Sequence, residues 1–180
     1  MEKHPSLRQL ESSDAHDILR WMASPRLHPA EEGHLRDTLG AAGELARGGQ
    51  LPFAARLVDA EGTLLLTTTN QVQATGDPTA HAEIVLIRRA SESFGAARLR
   101  SMTLYTAAEP CIMCAAAIVF CGIGRLIYGM SAEQLGPQLV LPPGVIVPGI
   151  TGRQLLDATS GGPLVIGPML EAEAQALLFP

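Results

Sequence analysis

Apolar residues recur every three or four positions across residues 31–46, at Leu35, Leu39, Ala42, Leu45 and Ala46, and Gly48-Gly49 closes the run. That period predicts an amphipathic helix. Two short stretches, 53–58 and 64–70, then flank the turn Asp59-Ala60-Glu61-Gly62 and read as an antiparallel hairpin. Asp77-Pro78-Thr79 supplies a helix start, with Asp77 or Thr79 as the cap, and the helix is expected over 80–93. A strand over 102–106, a helix over 111–120 and a strand over 126–128 follow. A last short strand is expected at 165–166 and a closing helix over 169–178. Residues 136–149 are rich in Pro and Gly yet apolar, which predicts a packed loop or lid rather than a linker. Strands alternating with helices after an opening hairpin predict an α/β fold, a three-layer α/β/α sandwich with a mixed central sheet.

Residues 1–29 stand apart as an N-terminal extension, leaving 30–180 as one domain. Within the extension, Asp14 caps a short expected helix that Ser24-Pro25 stops, and Trp21, the only tryptophan, is expected to pin it to the body. A chain of 180 residues with 47% hydrophobic and 17% charged residues has enough apolar material for a core. Its net charge is −5 and Lys3 is the only lysine, which argues against a broad phosphate-binding surface and against nucleic acid as the partner. No apolar run approaches the roughly 20 residues of a membrane helix. Residues 1–10 lead into no apolar core, so no secretory signal is expected. Three cysteines, two of them in C-x-x-C, point to a metal site in a reducing cytoplasmic setting rather than to disulfides.

Candidate chemistry gathers in His81-Ala82-Glu83 and Pro110-Cys111-Ile112-Met113-Cys114. Cys111 and Cys114 lie three apart at a helix start, so their sulfurs share a face, and the positive end of the helix favours thiolates. His81 also opens a helix, so two helix ends can converge on one zinc ion. Three protein ligands leave the fourth position of zinc open, as in catalytic sites. Two thiolates offset the charge of the ion, so a nearby base is needed, and Glu83 is the available carboxylate. A closed structural site would need a fourth ligand, but His4, His16, His28 and His34 lie far upstream without matching spacing. Cys121 falls about 10 Å further along the helix than Cys114, too far to share the ion, and is expected to be a buried thiol. Asn70, at a strand end, reads by default as a turn former.

The stretches Asp77-Pro78-Thr79-Ala80-His81-Ala82-Glu83 and Glu109-Pro110-Cys111-Ile112-Met113-Cys114 resemble the cytidine-deaminase-like superfamily, and more closely its guanine, cytosine and tRNA adenosine deaminase branch. The resemblance spans about residues 31–178. It implies a sheet of about five strands, one Zn²⁺ per chain on His81, Cys111 and Cys114, and Glu83 as the proton shuttle. It also implies that Asn70 binds the substrate ring, with Phe53, Ala82 and Pro110 beside it, and that the protein is a homodimer. The run Ala115-Ala116-Ala117-Ile118-Val119-Phe120, apolar on every side, agrees with cover from a second subunit. In two places the chain departs from its relatives. Phe53 is followed by Ala54-Ala55, and Gly136-Pro137-Gln138-Leu139 stands where similar guanine deaminases carry acidic residues. The expected substrate is therefore a free amino-heterocycle of cytosine, aminotriazine or guanine type, with guanine ranked lower. The alternatives are a tRNA adenosine deaminase and a non-catalytic zinc scaffold.

Overall fold

The computed structural model describes residues 27–140 and 148–180. The helix expected before Ser24-Pro25 and the placement of Trp21 lie outside these residues, as does the middle of the 136–149 segment. Helix α1 (Pro29–Arg47) begins two residues earlier than its apolar period suggests. Local chemistry explains the start. His28 accepts from the Ala30 N–H, the Glu31 carboxylate accepts from the His28 N–H at 2.9 Å, and Pro29 fits the first turn. Leu35, Leu39 and Ala42 form its buried stripe.

The hairpin follows as strands β1 (Ala54–Val58) and β2 (Leu64–Thr69), joined by a turn in which Asp59 Oδ1 accepts from the Glu61 and Thr63 N–H groups. After the short helix α2 (Val72–Thr75) comes α3 (Ala82–Ser93), then α4 (Ala96–Leu99), strand β3 (Thr103–Ala108), helix α5 (Ile112–Cys121) and strand β4 (Arg125–Met130). Helices α6 (Ala132–Leu135) and α7 (Gly152–Asp157), strand β5 (Leu164–Ile166) and helix α8 (Glu171–Leu178) complete the described fold. The sheet order is β2-β1-β3-β4-β5. The β1–β2 and β1–β3 pairs are antiparallel, and β3–β4 and β4–β5 are parallel. This is the mixed, five-stranded α/β sandwich expected.

Alternation along the central strands assigns the layers. Leu57, Leu104, Leu126 and Tyr128 face one side and pack with Leu86 of α3 and Ile118 of α5. Val58, Tyr105 and Ile127 face the other and pack with Leu35 and Leu39 of α1 and Leu178 of α8. Helix α5 is not enclosed by its own chain among the described residues. Cys114, Ala115 and Ile118 are buried, whereas Phe120 is 89% exposed. No described helix is long and apolar enough to cross a membrane.

Candidate metal centre and its cavity

The start of α3 differs from the sequence expectation in an informative way. The helix begins at Ala82, not at 80, and His81 is its N-cap with φ −65° and ψ 153°. Asp77 does not cap the helix. Its Oδ1 accepts from the Thr79 N–H at 2.8 Å and the Thr79 hydroxyl at 2.7 Å, shaping the turn that leads into His81. Those bonds, with the Arg88 charge nearby, hold the Asp77 carboxyl below the usual range. Cys111 is likewise the extended N-cap of α5, with φ −63° and ψ 168°. Both caps lack a side-chain hydrogen bond to their own helix, so both side chains are free to turn toward each other.

They do converge. His81 Nδ1 lies 3.6 Å from Cys111 Sγ and 3.6 Å from Cys114 Sγ, and the three donor atoms lie within 4.8 Å of one another. Zinc–nitrogen and zinc–sulfur bonds of about 2.0 and 2.3 Å at a tetrahedral angle would separate N from S by about 3.5 Å. The observed spacing therefore fits a zinc ion held by His81, Cys111 and Cys114, and this is the only such cluster among the described residues. The charge state of the donors agrees. Cys111 is pulled down to about 4 by the hydrogen bond from the Cys114 thiol and by His81. Cys114 is pushed up by that same bond and by burial, and His81 is raised by its Cys111 partner. Zinc ligation would require both sulfurs as thiolates, so binding would release the proton that their hydrogen bond favours on Cys114. Cys121 is half-buried at the end of α5, bonded to the Ile118 carbonyl and outside the trio.

Glu83 is buried in the first turn of α3, at 8% exposure. Burial is the main force that pushes its carboxyl up, and the Cys111 charge adds to it. A carboxyl raised in this way can take up and give back a proton closer to neutral pH than an exposed one.

Beside the trio opens a cavity of about 560 Å³, walled on one side by His81, Pro110, Cys111 and Met113 and on the other by Leu135, Leu139 and Ile150. Its wall comes from residues 132–139 and 148–152, so the apolar 136–149 segment does border the site where it is described, with Gly136–Gln138 a single 3₁₀ turn. Of the expected substrate contacts, Pro110 lines this cavity, whereas Asn70, Ala82 and Phe53 are not among its lining residues. Asn70 shapes a turn: its Oδ1 accepts from the Val72 N–H at 3.1 Å and its N–H donates to the Phe53 carbonyl at 2.9 Å. The next residue ties that turn to the metal site, because the Gln71 N–H donates to the Ala80 carbonyl. Ala82 is fully buried, and its carbonyl accepts from the Thr68 hydroxyl at 2.7 Å.

Two residues given no role by sequence reasoning prove central. Glu109 lines the cavity, and its two carboxylate oxygens accept from the Arg153 N–H at 2.9 Å and the Ala132 N–H at 3.1 Å. Gly152 sits so close to the Pro110–Cys111 turn that an added Cβ would overlap the Pro110 carbonyl oxygen. The one available signal was the position of Glu109 directly before Pro110-Cys111.

Comparison with known proteins agrees with the geometry. The family described as the cytidine and deoxycytidylate deaminase zinc-binding region matches residues 30–130. A probable cytosine deaminase from Schizosaccharomyces pombe is 35% identical over 157 residues, 85% of this chain and 93% of that protein. A tRNA-specific adenosine deaminase from Agrobacterium fabrum is 44% identical over 87 residues, 48% of this chain and 57% of that protein. A guanine deaminase structure from Nitrosomonas europaea superposes with a TM-score of 0.65 at 23% identity, covering 98% of this chain and 97% of that one, which shows the shared fold.

Proposed function

The chain belongs to the cytidine and deoxycytidylate deaminase family, and from that premise we propose that it releases ammonia from a free amino-heterocycle of cytosine, aminotriazine or guanine type. One observation carries the choice of substrate class. The cavity beside the metal ligands is small and apolar, and its one carboxylate, Glu109, has both oxygens engaged by backbone N–H groups. A neutral, flat ring suits such a wall. Residues 134–139 and 148–152, the described stretches of this rim, contain no Asp, Glu, Lys, Arg or His, so they offer nothing to a phosphate backbone.

A zinc ion held by His81, Cys111 and Cys114 would supply Lewis acidity toward water, and because two thiolates offset its charge a base must share the work. The Glu83 carboxylate accepts the proton of the attacking water. It passes that proton to a ring nitrogen, then takes the remaining proton from the new hydroxyl group and delivers it to the amine, so that the C–N bond breaks, the ring keeps a carbonyl oxygen and ammonia leaves. We assign Asn70 to orienting the ring from the turn beside the metal loop and not from the cavity lining: with Oδ1 held by the Val72 N–H, its Nδ2 amino group is the side left to donate. Pro110 lines the cavity, whereas Ala82 and Phe53 stand behind it and act only by shaping the backbone around the metal loop and the Asn70 turn. Two such subunits pair through the outer face of α5, a reading supported by the exposure of Phe120.

The test is an ammonia-release screen of the zinc-loaded protein over guanine, cytosine, adenine, isocytosine, aminotriazines and the matching nucleosides. We expect kcat/KM for cytosine or an aminotriazine to exceed that for guanine, with nucleosides poorer still. Guanine ranking first by more than about tenfold, roughly 1.4 kcal/mol, would overturn the order. The alternative is tRNA adenosine deamination, favoured by the 44% identity to the Agrobacterium enzyme. Salt-resistant tRNA binding together with inosine formation would establish it instead.

A further inference from the structure

We infer that Glu109 is a positioning residue whose carboxylate clamps both ends of the cavity wall and so sets the opening over the metal ligands. The described wall consists of two stretches, one within 132–139 that follows Ser131 and one over 148–152 that leads into Arg153. Its outgoing end is held by the Ala132 N–H on one Glu109 oxygen, and its returning end by the Arg153 N–H on the other. Among the described residues, the other hydrogen bonds of 132–140 and 148–152 reach only chain neighbours, such as Ser131 at one end and Gln154 and Leu155 at the other. Apolar contact alone is non-directional and would not fix the register of such a segment. Two charge-assisted bonds from a single carboxylate do fix it.

The clamp is itself anchored. The Glu109 N–H donates to the Met130 carbonyl at 2.7 Å, which ties the clamp to the end of β4, the strand that leads into the wall. Buried Pro110 and the ligand Cys111 follow directly, so the wall is referenced to the same turn that holds the metal. Because both carboxylate oxygens are occupied, Glu109 serves the reaction through the wall and not by moving a proton.

The experiment compares Glu109→Ala and Glu109→Gln with wild type as zinc-loaded full chains, by steady-state kinetics, zinc analysis and peptide-resolved amide hydrogen exchange. In Glu109→Ala, exchange should accelerate in peptides covering both 131–136 and 152–157. KM should rise about tenfold or more while kcat stays within about threefold and zinc remains at one per chain. Glu109→Gln keeps one amide oxygen, so it should free one end only and restore part of the KM. Ala132→Pro supplies an independent perturbation. Ser131 already has φ −71° and ψ 157°, so a proline at the first helical position is tolerated and deletes only the Ala132 N–H. It should loosen 131–136 and raise KM as well. Unchanged exchange in both wall peptides, loss of zinc, or a fall in kcat at constant KM would overturn the clamp. The kinetic arm rests on the deaminase reading above, whereas the exchange arm does not. A wild-type protein inert toward every amino-heterocycle would sink that reading and leave the exchange arm to decide the clamp.

Discussion

Gly152→Ala is the substitution for which the structure allows the most direct calculation. Gly152 opens α7 and packs on the turn that carries Cys111. A Cβ built there would overlap the Pro110 carbonyl oxygen, and it would stand 2.9 Å from the Pro110 carbonyl carbon and 3.3 Å from the Cys111 carbonyl oxygen. All three are backbone atoms, so no side chain can rotate away. To restore ordinary contact, the two backbones must part by on the order of 1 Å, and a misplacement of that size beside reacting groups costs about 10²-fold in rate. Overpacking of this kind also destabilises by about 1–3 kcal/mol, and each kcal/mol lowers Tm by about 2–4 °C in a chain of this size. The expected outcome is therefore a fall in kcat/KM of about two orders of magnitude on the best ring substrate, with a Tm several degrees lower. Ammonia-release kinetics and a thermal melt of the zinc-loaded variant measure both. A kcat/KM within about threefold of wild type at unchanged Tm would refute the close approach of wall and ligand turn.

Glu83→Gln should retain zinc, because Glu83 is outside the ligand trio, yet lose at least about 10²–10⁴-fold in turnover, since one group serves several proton transfers; near-normal turnover would remove Glu83 from the mechanism. Cys111→Ala and Cys114→Ala should each abolish zinc binding and activity together, while Cys121→Ala keeps zinc near one per chain by metal analysis. Gly40→Ala lies within α1 with nothing inside 4 Å of the new methyl, so it should stabilise the fold by roughly 0.5–1 kcal/mol in chemical denaturation without changing kcat/KM.

Much of the reacting centre was legible in the sequence because its geometry is local. The spacing of Cys111 and Cys114 within one helical turn puts both sulfurs on one side before any tertiary contact forms, and His81 and Glu83 are close neighbours in the chain at another helix start. The apolar period of α1 and the hairpin around Asp59–Gly62 were readable for the same reason. Boundaries were less so. The sequence suggested that α3 starts at 80, but His81 must stay extended to turn its ring toward the sulfurs, and the helix begins after it. Helices α2, α4 and α6 have four residues each and α7 has six, too few turns to display a period.

Only the tertiary structure decided what encloses the site. The cavity joins 78–81, 109–113, 132–139 and 148–152, stretches separated by up to about seventy positions, and no local rule relates them. Glu109 looked like one more residue of a motif until the two wall ends arrived at its oxygens, and Gly152 looked like a loop glycine until the Pro110 carbonyl was found against it. Asn70 shows the same division. Its turn-forming habit is intrinsic to a short amide side chain, whereas its connection to the metal site exists only because the Gln71 N–H reaches the Ala80 carbonyl. Residue type and spacing determine which atoms can do chemistry, and long-range packing determines what they face.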